Sequence, residues 1–299
     1  MQLNGKPIVD DYSETFDAVM VAFVVTGPTR EIAREAAYET KGLGRSATQP
    51  PCECTIAHEL DESQTPDGRP GYELHAFDRK VRHLRECLAL RLRKGCLPYP
   101  KTAVFNALPA DLASGDDESV IDLTGTVVHR FADGFAEQRT EDGRELLVLP
   151  RMDGPMTVER TYRTLVAVTG GMFLVFGKDD SVLEAALQAT AEAAAGRWTT
   201  AKCAASGSKV GAIHETDMPA TTNHRFCPSL TAQVEDSHVP EGVGCIYEVI
   251  VSGPDETAVR DGMRAGIAAA SRHDAVVRIG TANYGGKLGS GQIALRDLL

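Results

Sequence analysis

The chain has 299 residues, a formal net charge of -11 and an apolar content of 42%, which together are typical of a globular protein with a sizeable core and room for two domains. The acidic balance argues against a general nucleic-acid binder, because such a protein presents a basic face. The N-terminal segment lacks the apolar core of a signal peptide and no stretch is long and apolar enough to span a membrane, so we expect a cytoplasmic protein without a membrane partner.

The first half of the chain alternates apolar runs with helical patterns. Residues 17–26 (DAVMVAFVVT) form a nearly continuous apolar run, which is typical of a central strand. Thr29 can cap the following helix, and Gly42 can end it. The elements predicted after it are an edge strand within 46–57, a strand at 72–77, a helix at 78–95 and an extended stretch at 96–105. The order β-α-β-β-α-β predicts a ferredoxin-like arrangement.

The region 106–160 carries the signals of β-hairpins. An acidic turn at 113–118 precedes a predicted strand at 120–131, and Asp142-Gly143 precedes another at 145–149. We expect this region to form a β-rich arm between two lobes.

The second half repeats the order of the first. Its predicted elements are a strand at 165–176 with a bulge or turn at Gly170-Gly171, a helix at 181–195, a strand at 199–205, a strand at 245–251, a helix at 255–272 and a strand at 275–281. In the last helix Gly262, Gly266 and Ala270 are four residues apart, which favours close packing on a neighbour. We therefore expect an α/β (α+β) fold of two ferredoxin-like βαββαβ lobes joined by the arm. The domains are then 1–150, including the arm, and 151–299.

One acidic residue interrupts the apolar strand Cys245-Ile246-Tyr247-Glu248-Val249-Ile250-Val251. Alternation places Glu248 on one face with Ile246 and Ile250. A carboxylic acid among apolar neighbours can stay protonated near neutral pH and donate a proton. The strand by itself favours a simpler alternative, an edge-strand glutamate paired with a Lys or Arg.

Two polar, glycine-containing segments can also carry chemistry. A long polar insertion at 206–244 interrupts the second lobe, and such loops are functional or disordered more often than inert. The segment 280–289 (GTANYGGKLG) follows a strand, and its glycines together with Lys287 can cradle an anion. It matches neither the P-loop nor the dinucleotide-binding pattern.

The cysteines do not form a metal-binding pattern. All seven are scattered along the chain, which is typical of reduced thiols. Cys52-Glu53-Cys54 has no zinc-site spacing, and no second cysteine pair completes a four-ligand site, so we expect no metal.

The sequence resembles the formylmethanofuran–tetrahydromethanopterin formyltransferase family along essentially its whole length. The segments that carry the resemblance are Leu3-Asn4-Gly5, 42–46 (GLGRS), 65–71 (TPDGRPG), 208–211 (SKVG), 219–223 (PATTN), Cys227-Pro228, 240–243 (PEGV), 245–248 (CIYE) and 283–289 (NYGGKLG). Their order and spacing make the resemblance specific.

The resemblance implies an enzyme that moves a formyl group between the amine of methanofuran and N5 of tetrahydromethanopterin. It implies that Glu248 lies beside the formyl group and acts as a proton donor and acceptor through a tetrahedral intermediate. Residue type and loop position add candidate substrate-binding residues: Ser208, Lys209, Thr222, Asn223, Asn283, Lys287 and Arg69.

The resemblance also implies that methanofuran and tetrahydromethanopterin are co-substrates and that no cofactor is bound permanently. It implies a homotetramer and, for a bacterial member, further subunits of a formyltransferase/hydrolase complex. Two other functions stay open: a non-catalytic assembly subunit of such a complex, and a tandem ferredoxin-like ligand-binding module.

Overall fold

The computed structural model of the chain describes residues 1–42, 52–112, 119–205 and 223–299. The α-helices within these ranges are α1 (Arg30–Lys41), α2 (Val81–Arg91), α3 (Val182–Ala193) and α4 (Glu256–Ser271). The strands are β1 (Gln2–Leu3), β2 (Lys6–Pro7), β3 (Tyr12–Thr26), β4 (Glu53–Leu60), β5 (Gly71–Asp78), β6 (Ala103–Asn106), β7 (Val120–Asp122), β8 (Glu137–Glu141), β9 (Arg144–Leu149), β10 (Met156–Glu159), β11 (Thr161–Arg163), β12 (Leu165–Gly177), β13 (Thr200–Ala204), β14 (Cys245–Gly253), β15 (Val276–Gly280) and β16 (Gly291–Ala294). None of the helices in the described ranges has the length and apolar character needed to cross a membrane.

The chain divides into two compact units. One unit comprises residues 18–167, and the other combines residues 1–17 with residues 168–299. We call them the 18–167 unit and the terminal unit. The expected domains at 1–150 and 151–299 divide the chain at other places, and they stay a prediction.

The 18–167 unit contains the first predicted βαββαβ motif. Strand β3 pairs antiparallel with β5 and β6, and β4 pairs antiparallel with β5, so the order is β4-β5-β3-β6. Helices α1 and α2 bury Ala33 and Leu84 in the same core as Phe23 and Leu74 of the sheet. This order is that of a ferredoxin-like sheet, and the predicted fold is confirmed here.

The predicted β-rich arm continues the sheet of the 18–167 unit. Strand β10 pairs in parallel with β6, and β9 pairs antiparallel with β10 and β8. The β8–β9 hairpin turns at Asp142 and Gly143, whose φ angles of 49° and 76° are the left-handed values that a two-residue hairpin turn requires. The strand predicted at 120–131 is shorter than expected, because β7 ends at Asp122 and a 3-10 helix follows at His129–Ala132.

The terminal unit repeats the ferredoxin-like order. Strand β12 pairs antiparallel with β14 and β15, and β13 pairs antiparallel with β14, which gives the order β13-β14-β12-β15. The register between β12 and β14 shifts between Val168 and Gly171, which confirms the bulge predicted at the two glycines. Phe173 and Val251 of the sheet share a buried core with Val259 and Met263 of α4.

The glycines of α4 let this helix pack very closely on its neighbours. A Cβ atom at Gly262 would lie 2.7 Å from the carbonyl oxygen of Ala193, and one at Gly266 would lie 2.9 Å from that of Ala189. Both carbonyls belong to α3, so the close packing predicted from the spacing of the small residues is confirmed.

The first 17 residues complete the terminal unit. Ile8 forms a parallel bridge with Ile279, and residues Tyr12 to Thr15 pair antiparallel with β16. The N-terminal segment therefore reaches the C-terminal strands, beside the part of the sheet that carries Glu248.

Candidate active site

Glu248 lies near the middle of the terminal-unit sheet. It pairs with Ala204 on β13 and with Leu174 on β12, so β14 is not an edge strand and the edge-strand alternative is wrong on this point. The neighbouring Val249 and Val251 belong to the core shared with the helices. Because side chains alternate along a strand, Glu248 lies on the opposite face, where it is only 6% exposed.

The turn that begins at Asn223 contributes to this burial. Asn223 starts a 3-10 helix, Asn223–Phe226, and its Nδ2 atom donates a hydrogen bond to Oε1 of Glu248. Phe226 of the same turn packs edge-to-face on Phe176, with 6.4 Å between the ring centroids. Two residues predicted for the site, Asn223 and Glu248, are therefore in direct contact.

A cavity of about 230 Å³ opens on the same face of the sheet. Its walls are Val9, Asp11, Phe176, Phe226, His238, Arg278, Gly280 and Thr281. Phe176 pairs with Ile246, which is two residues from Glu248 on the same strand and so shares its face. The ring of His238 packs edge-to-face on Phe226 with centroids 5.3 Å apart, and the guanidinium of Arg278 lies 5.8 Å from the centroid of Phe176. The cavity thus offers aromatic surface and one cation.

The glycine-rich loop after β15 encloses a carboxylate from the N-terminal segment. Glu14 is 3% exposed. Its Oε1 accepts the backbone N–H groups of Tyr284 at 2.8 Å and Gly286 at 2.6 Å. Its Oε2 accepts those of Leu288 at 3.1 Å and Gly289 at 2.6 Å. Burial opposes ionisation of this carboxyl, but the four donors outweigh it and hold the pKa of Glu14 below its ordinary value.

The predicted anion-binding loop therefore does bind an anion, and the anion is a side chain of the protein itself. Lys287 is exposed on this loop and makes none of the four bonds to Glu14. Asn283 donates to Oδ1 of Asp11 at 2.8 Å, and its own Oδ1 accepts the N–H of Gly285 at 2.9 Å. The amide of Asn283 thus shapes the loop, and a role of Lys287 or Asn283 in binding a coenzyme stays a prediction.

Tyr284 belongs to the loop that encloses Glu14, and it is 36% exposed. Partial burial, followed by the neighbouring carboxyl groups of Glu248 and Glu14, raises the pKa of its hydroxyl, so the phenol stays protonated at neutral pH. Its ring packs edge-to-face on Phe16, with the ring centroids 6.3 Å apart. Neither Glu14 nor Tyr284 could be identified from the sequence, because no local pattern links the polar start of β3 to a loop near the other end of the chain.

Comparison with known proteins places the chain in a family. The sequence model described as "Formylmethanofuran-tetrahydromethanopterin formyltransferase" matches residues 1–151, and the one described as "FTR, proximal lobe" matches residues 154–298. The chain belongs to the formylmethanofuran–tetrahydromethanopterin formyltransferase family. Membership of this family makes the protein an enzyme of the acyltransferase type and confirms the resemblance from the sequence.

Members of the family are similar to the chain in sequence and in structure over its full length. The formyltransferase of Methanothermobacter thermautotrophicus is 35% identical over 303 residues, with 100% of both chains covered. The solved structure of the enzyme from Methanosarcina barkeri is 34% identical and gives a TM-score of 0.86, again over 100% of both chains. The formyltransferase/hydrolase complex of Methylorubrum extorquens with methylofuran contains a chain that is 32% identical, with a TM-score of 0.88 and coverage of 100% and 98%.

The remaining predicted site residues of this family member lie elsewhere. Arg69 belongs to the 18–167 unit, where its guanidinium donates to Asp67 at 2.7 and 2.9 Å, to Thr26 at 3.0 Å and to the carbonyl oxygen of Lys101. These bonds hold a turn together, and the predicted binding role of Arg69 stays a prediction. Three others lie outside the described residues: Ser208, Lys209 and Thr222.

In the ranges 1–42, 52–112, 119–205 and 223–299, no three His, Cys, Asp or Glu side chains are grouped so that they could hold a metal ion.

Proposed function

We propose that the protein transfers a formyl group between methanofuran and N5 of tetrahydromethanopterin, with Glu248 as the group that donates and accepts the proton. The observation that carries the proposal is the position of Glu248: it is 6% exposed, bonded by the amide of Asn223, and on the same sheet face as an aromatic cavity. Family membership supports the choice of the two coenzymes.

The chemistry needs one proton to move between two nitrogen atoms. The free amine attacks the formamide carbon, which forms a new C–N bond and leaves a tetrahedral intermediate with an oxyanion and a cationic nitrogen. The attacking nitrogen must lose its proton, and the leaving nitrogen must gain one before the old C–N bond breaks. Glu248 in its protonated form gives a proton to the leaving nitrogen and then takes one from the attacking nitrogen, so the carboxyl ends in its starting state.

The hydrogen bond from Asn223 supports this role because it fixes the orientation of the carboxyl group. A carboxyl that can rotate spends part of its time away from the reacting atoms, and each such orientation lowers the rate of proton transfer. The amide of Asn223 donates to Oε1 of Glu248 and so restricts the rotation of this carboxyl group. We infer that Asn223 is a residue that orients the proton shuttle.

The neighbouring cavity is suited to a ring of one of the coenzymes. Phe226, Phe176 and His238 provide aromatic edges and faces, on which a flat heterocycle can stack. The guanidinium of Arg278 adds a positive charge for an acidic or carbonyl group. Binding a coenzyme ring here brings its reactive nitrogen to the face of the sheet that carries Glu248.

The polar loop residues complete the proposal for binding. Both coenzymes carry acidic tails, so Lys209, Lys287 and Arg69 are proposed as partners for anionic groups. Ser208, Thr222 and Asn283 are proposed to orient the ligands by hydrogen bonds. Since Lys287 is exposed while Arg69 is already bonded to Asp67, we expect the larger loss of coenzyme affinity from Lys287→Ala.

Subunit composition forms a separate part of the proposal. The relative from Methylorubrum extorquens was determined within a formyltransferase/hydrolase complex. We propose that the protein forms a homotetramer and can assemble with hydrolase subunits of such a complex. Native mass spectrometry of the purified chain tests the tetramer, and a monomer at micromolar concentration contradicts it.

The test of the function is a formyl-transfer assay of the purified chain with both coenzymes, in parallel with Glu248→Gln. General acid–base catalysis contributes roughly 100- to 10,000-fold, so we expect kcat to fall at least about 100-fold in the variant. Coenzyme affinities measured by calorimetry should stay within about threefold, because glutamine keeps the size of the side chain.

The matched control is Glu256→Gln, which removes a half-exposed carboxylate from the same unit, where it is paired with Arg260. This variant should keep the unsubstituted rate. A Glu248→Gln protein with an unchanged kcat contradicts the proton shuttle, and an unsubstituted protein that transfers no formyl group contradicts the function as a whole.

A further inference from the structure

The four bonds to Glu14 form an unusually complete tether. All four donors are backbone N–H groups, and all come from one segment of six residues, Tyr284 to Gly289. A buried carboxylate is stable only when such donors replace its water shell, so loop and carboxylate depend on each other. Removing the loop donors leaves the Glu14 carboxylate, which is 3% exposed, without hydrogen bonds.

The backbone conformation of the loop depends on its glycines. Gly285 and Gly286 have φ angles of +71° and +73°, a region that residues with a Cβ atom rarely adopt. A Cβ atom at Gly289 would lie 2.7 Å from Cβ of Glu14 itself. The glycines therefore let the chain curve around Glu14 at close range.

The tethered loop leaves the sheet two strands away from Glu248 and level with it. Leu174 on β12 pairs with Glu248 on one side and with Gly280 on the other, so Gly280 and Glu248 lie level, two strand spacings or about 10 Å apart. The chain leaves the sheet after Gly280, and Tyr284 follows four residues later. Thr281 secures this exit, because its hydroxyl donates to the carbonyl oxygen of Met172 at 2.8 Å.

We propose that Glu14 is a positioning residue for the formyl transfer: by holding residues 284–289 in one conformation it fixes Tyr284 on the loop that leaves the sheet level with Glu248. This inference rests on the proposed function for its kinetic part, whereas the tether itself is a property of the structure. Glu14 bonds to the loop backbone and acts on the reaction through Tyr284.

The hydroxyl of Tyr284 is the group through which this placement acts on the reaction. Its backbone N–H is bonded to Oε1 of Glu14 at 2.8 Å, four residues after the chain leaves the sheet level with Glu248, and its side chain is 36% exposed and therefore accessible to a ligand. A protonated phenol next to the reacting formyl group can donate a hydrogen bond to the oxygen that becomes negative in the tetrahedral intermediate. Its rate effect then depends on the loop being fixed before the coenzymes bind.

The variant Glu14→Gln tests the tether directly. Glutamine has the same length but only one acceptor oxygen, so in either orientation of its amide two of the four backbone donors face an NH2 group. We expect backbone amide hydrogen exchange at 284–289 to become at least 10-fold faster. We expect kcat to fall about 10- to 100-fold, with the KM values of both coenzymes within about threefold.

A double variant separates positioning from a general structural effect. If Glu14 acts through Tyr284, Glu14→Gln combined with Tyr284→Phe should be no slower than Tyr284→Phe alone, since the loop no longer has a hydroxyl to place. The conservative Glu14→Asp keeps the charge on a shorter side chain and should recover part of kcat. If Glu14→Gln fails to fold, Glu14→Asp and Tyr284→Phe replace it. Amide exchange at 284–289 and kcat are then measured in these two variants and decide whether Glu14 positions Tyr284.

Glu256→Gln is again the control, and it should change neither the exchange at 284–289 nor kcat. Multiplicative losses of rate in the double variant, or an unchanged kcat in Glu14→Gln with a faster exchanging loop, overturn the positioning role. Unchanged exchange in Glu14→Gln overturns the tether. An unsubstituted protein without formyl-transfer activity contradicts the proposed function instead, and the exchange measurement still decides the tether.

Discussion

The side-chain amide of Asn223 donates a hydrogen bond to Oε1 of Glu248, although 25 residues separate the two along the chain. The bond joins the middle of the long polar insertion at 206–244 to a strand in the middle of a sheet. The insertion therefore supplies a partner for the one acidic residue that the sequence marks on that strand.

Asn223→Ala should slow formyl transfer without unfolding the protein. Loss of a hydrogen bond to an ionisable group costs roughly 1.5–3 kcal/mol, so a decrease in kcat of about 10-fold or more is expected, with coenzyme affinity nearly unchanged. Steady-state kinetics with both coenzymes provide the measurement. Ser229→Ala, an exposed position in the following turn, is the control, and equal rates in both variants speak against an orienting role of Asn223.

Phe226→Ala should weaken the binding of one coenzyme selectively. Aromatic stacking contributes roughly 1 kcal/mol beyond the area that it buries, so KM for the coenzyme whose ring occupies the cavity should rise about 5- to 10-fold. Phe226→Leu keeps an apolar side chain of similar size and separates loss of stacking from loss of packing. If KM rises equally for both coenzymes, or for neither, the cavity does not recognise a coenzyme ring.

Gly262→Ala should destabilise the protein, contrary to the usual effect in a helix. An alanine in place of glycine gains about 1 kcal/mol of helix propensity, but the added Cβ would lie 2.7 Å from the carbonyl oxygen of Ala193. Overpacking costs about 1–3 kcal/mol in cores, and backbone is less able to move than a side chain, so we expect a net loss of about 2 kcal/mol. Urea unfolding measures this change in the free energy of unfolding. Ala265→Gly in the same helix is the control, because it measures the effect of helix propensity alone. A gain in stability for Gly262→Ala is the contrary outcome.

The tether predicts an acid-dependent loss of stability. The pKa of Glu14 is lowered in the folded protein from its ordinary value of 4.5. A carboxyl with a lowered folded pKa stabilises the fold above its unfolded pKa, and this contribution disappears as the pH falls through the folded value. The difference in unfolding free energy between the unsubstituted protein and Glu14→Gln should therefore be constant near neutral pH and shrink below about pH 4.5. A difference that stays constant down to pH 3 contradicts a lowered pKa.

Much of the fold follows from the sequence because both lobes use strong local signals. The apolar run before Gly27 and the small-residue spacing in α4 predict a buried strand and a closely packed helix, and both are present. Alternation along 245–251 also separates Glu248 correctly from the face that contacts the helices. Burial of both faces could not be predicted from this strand, because the second face is covered by a turn that lies far away in sequence.

The parts of the site that sequence reasoning missed depend on contacts between distant segments. Strand β3 starts at Tyr12, five residues before the predicted position. The polar residues among Tyr12 to Phe16 are typical of a loop before a strand, and this pattern hid the first part of β3. Nothing near Glu14 indicates that four backbone donors will surround it. The glycines at 285, 286 and 289 were correctly linked to anion binding, but the sequence offered no way to tell an internal carboxylate from a ligand.

Glu14 and Gly289 are 275 residues apart, and this distance has a consequence for biosynthesis. A ribosome releases the N-terminal segment first and the enclosing loop almost last, so the segment must wait for the entire chain to be synthesised. Contacts of such long range are slow to form, while the 18–167 unit holds all of its strand partners much earlier. Maturation of the catalytic region is thus expected to be post-translational, and a nascent chain stalled before residue 284 would carry Glu248 without the loop beside it.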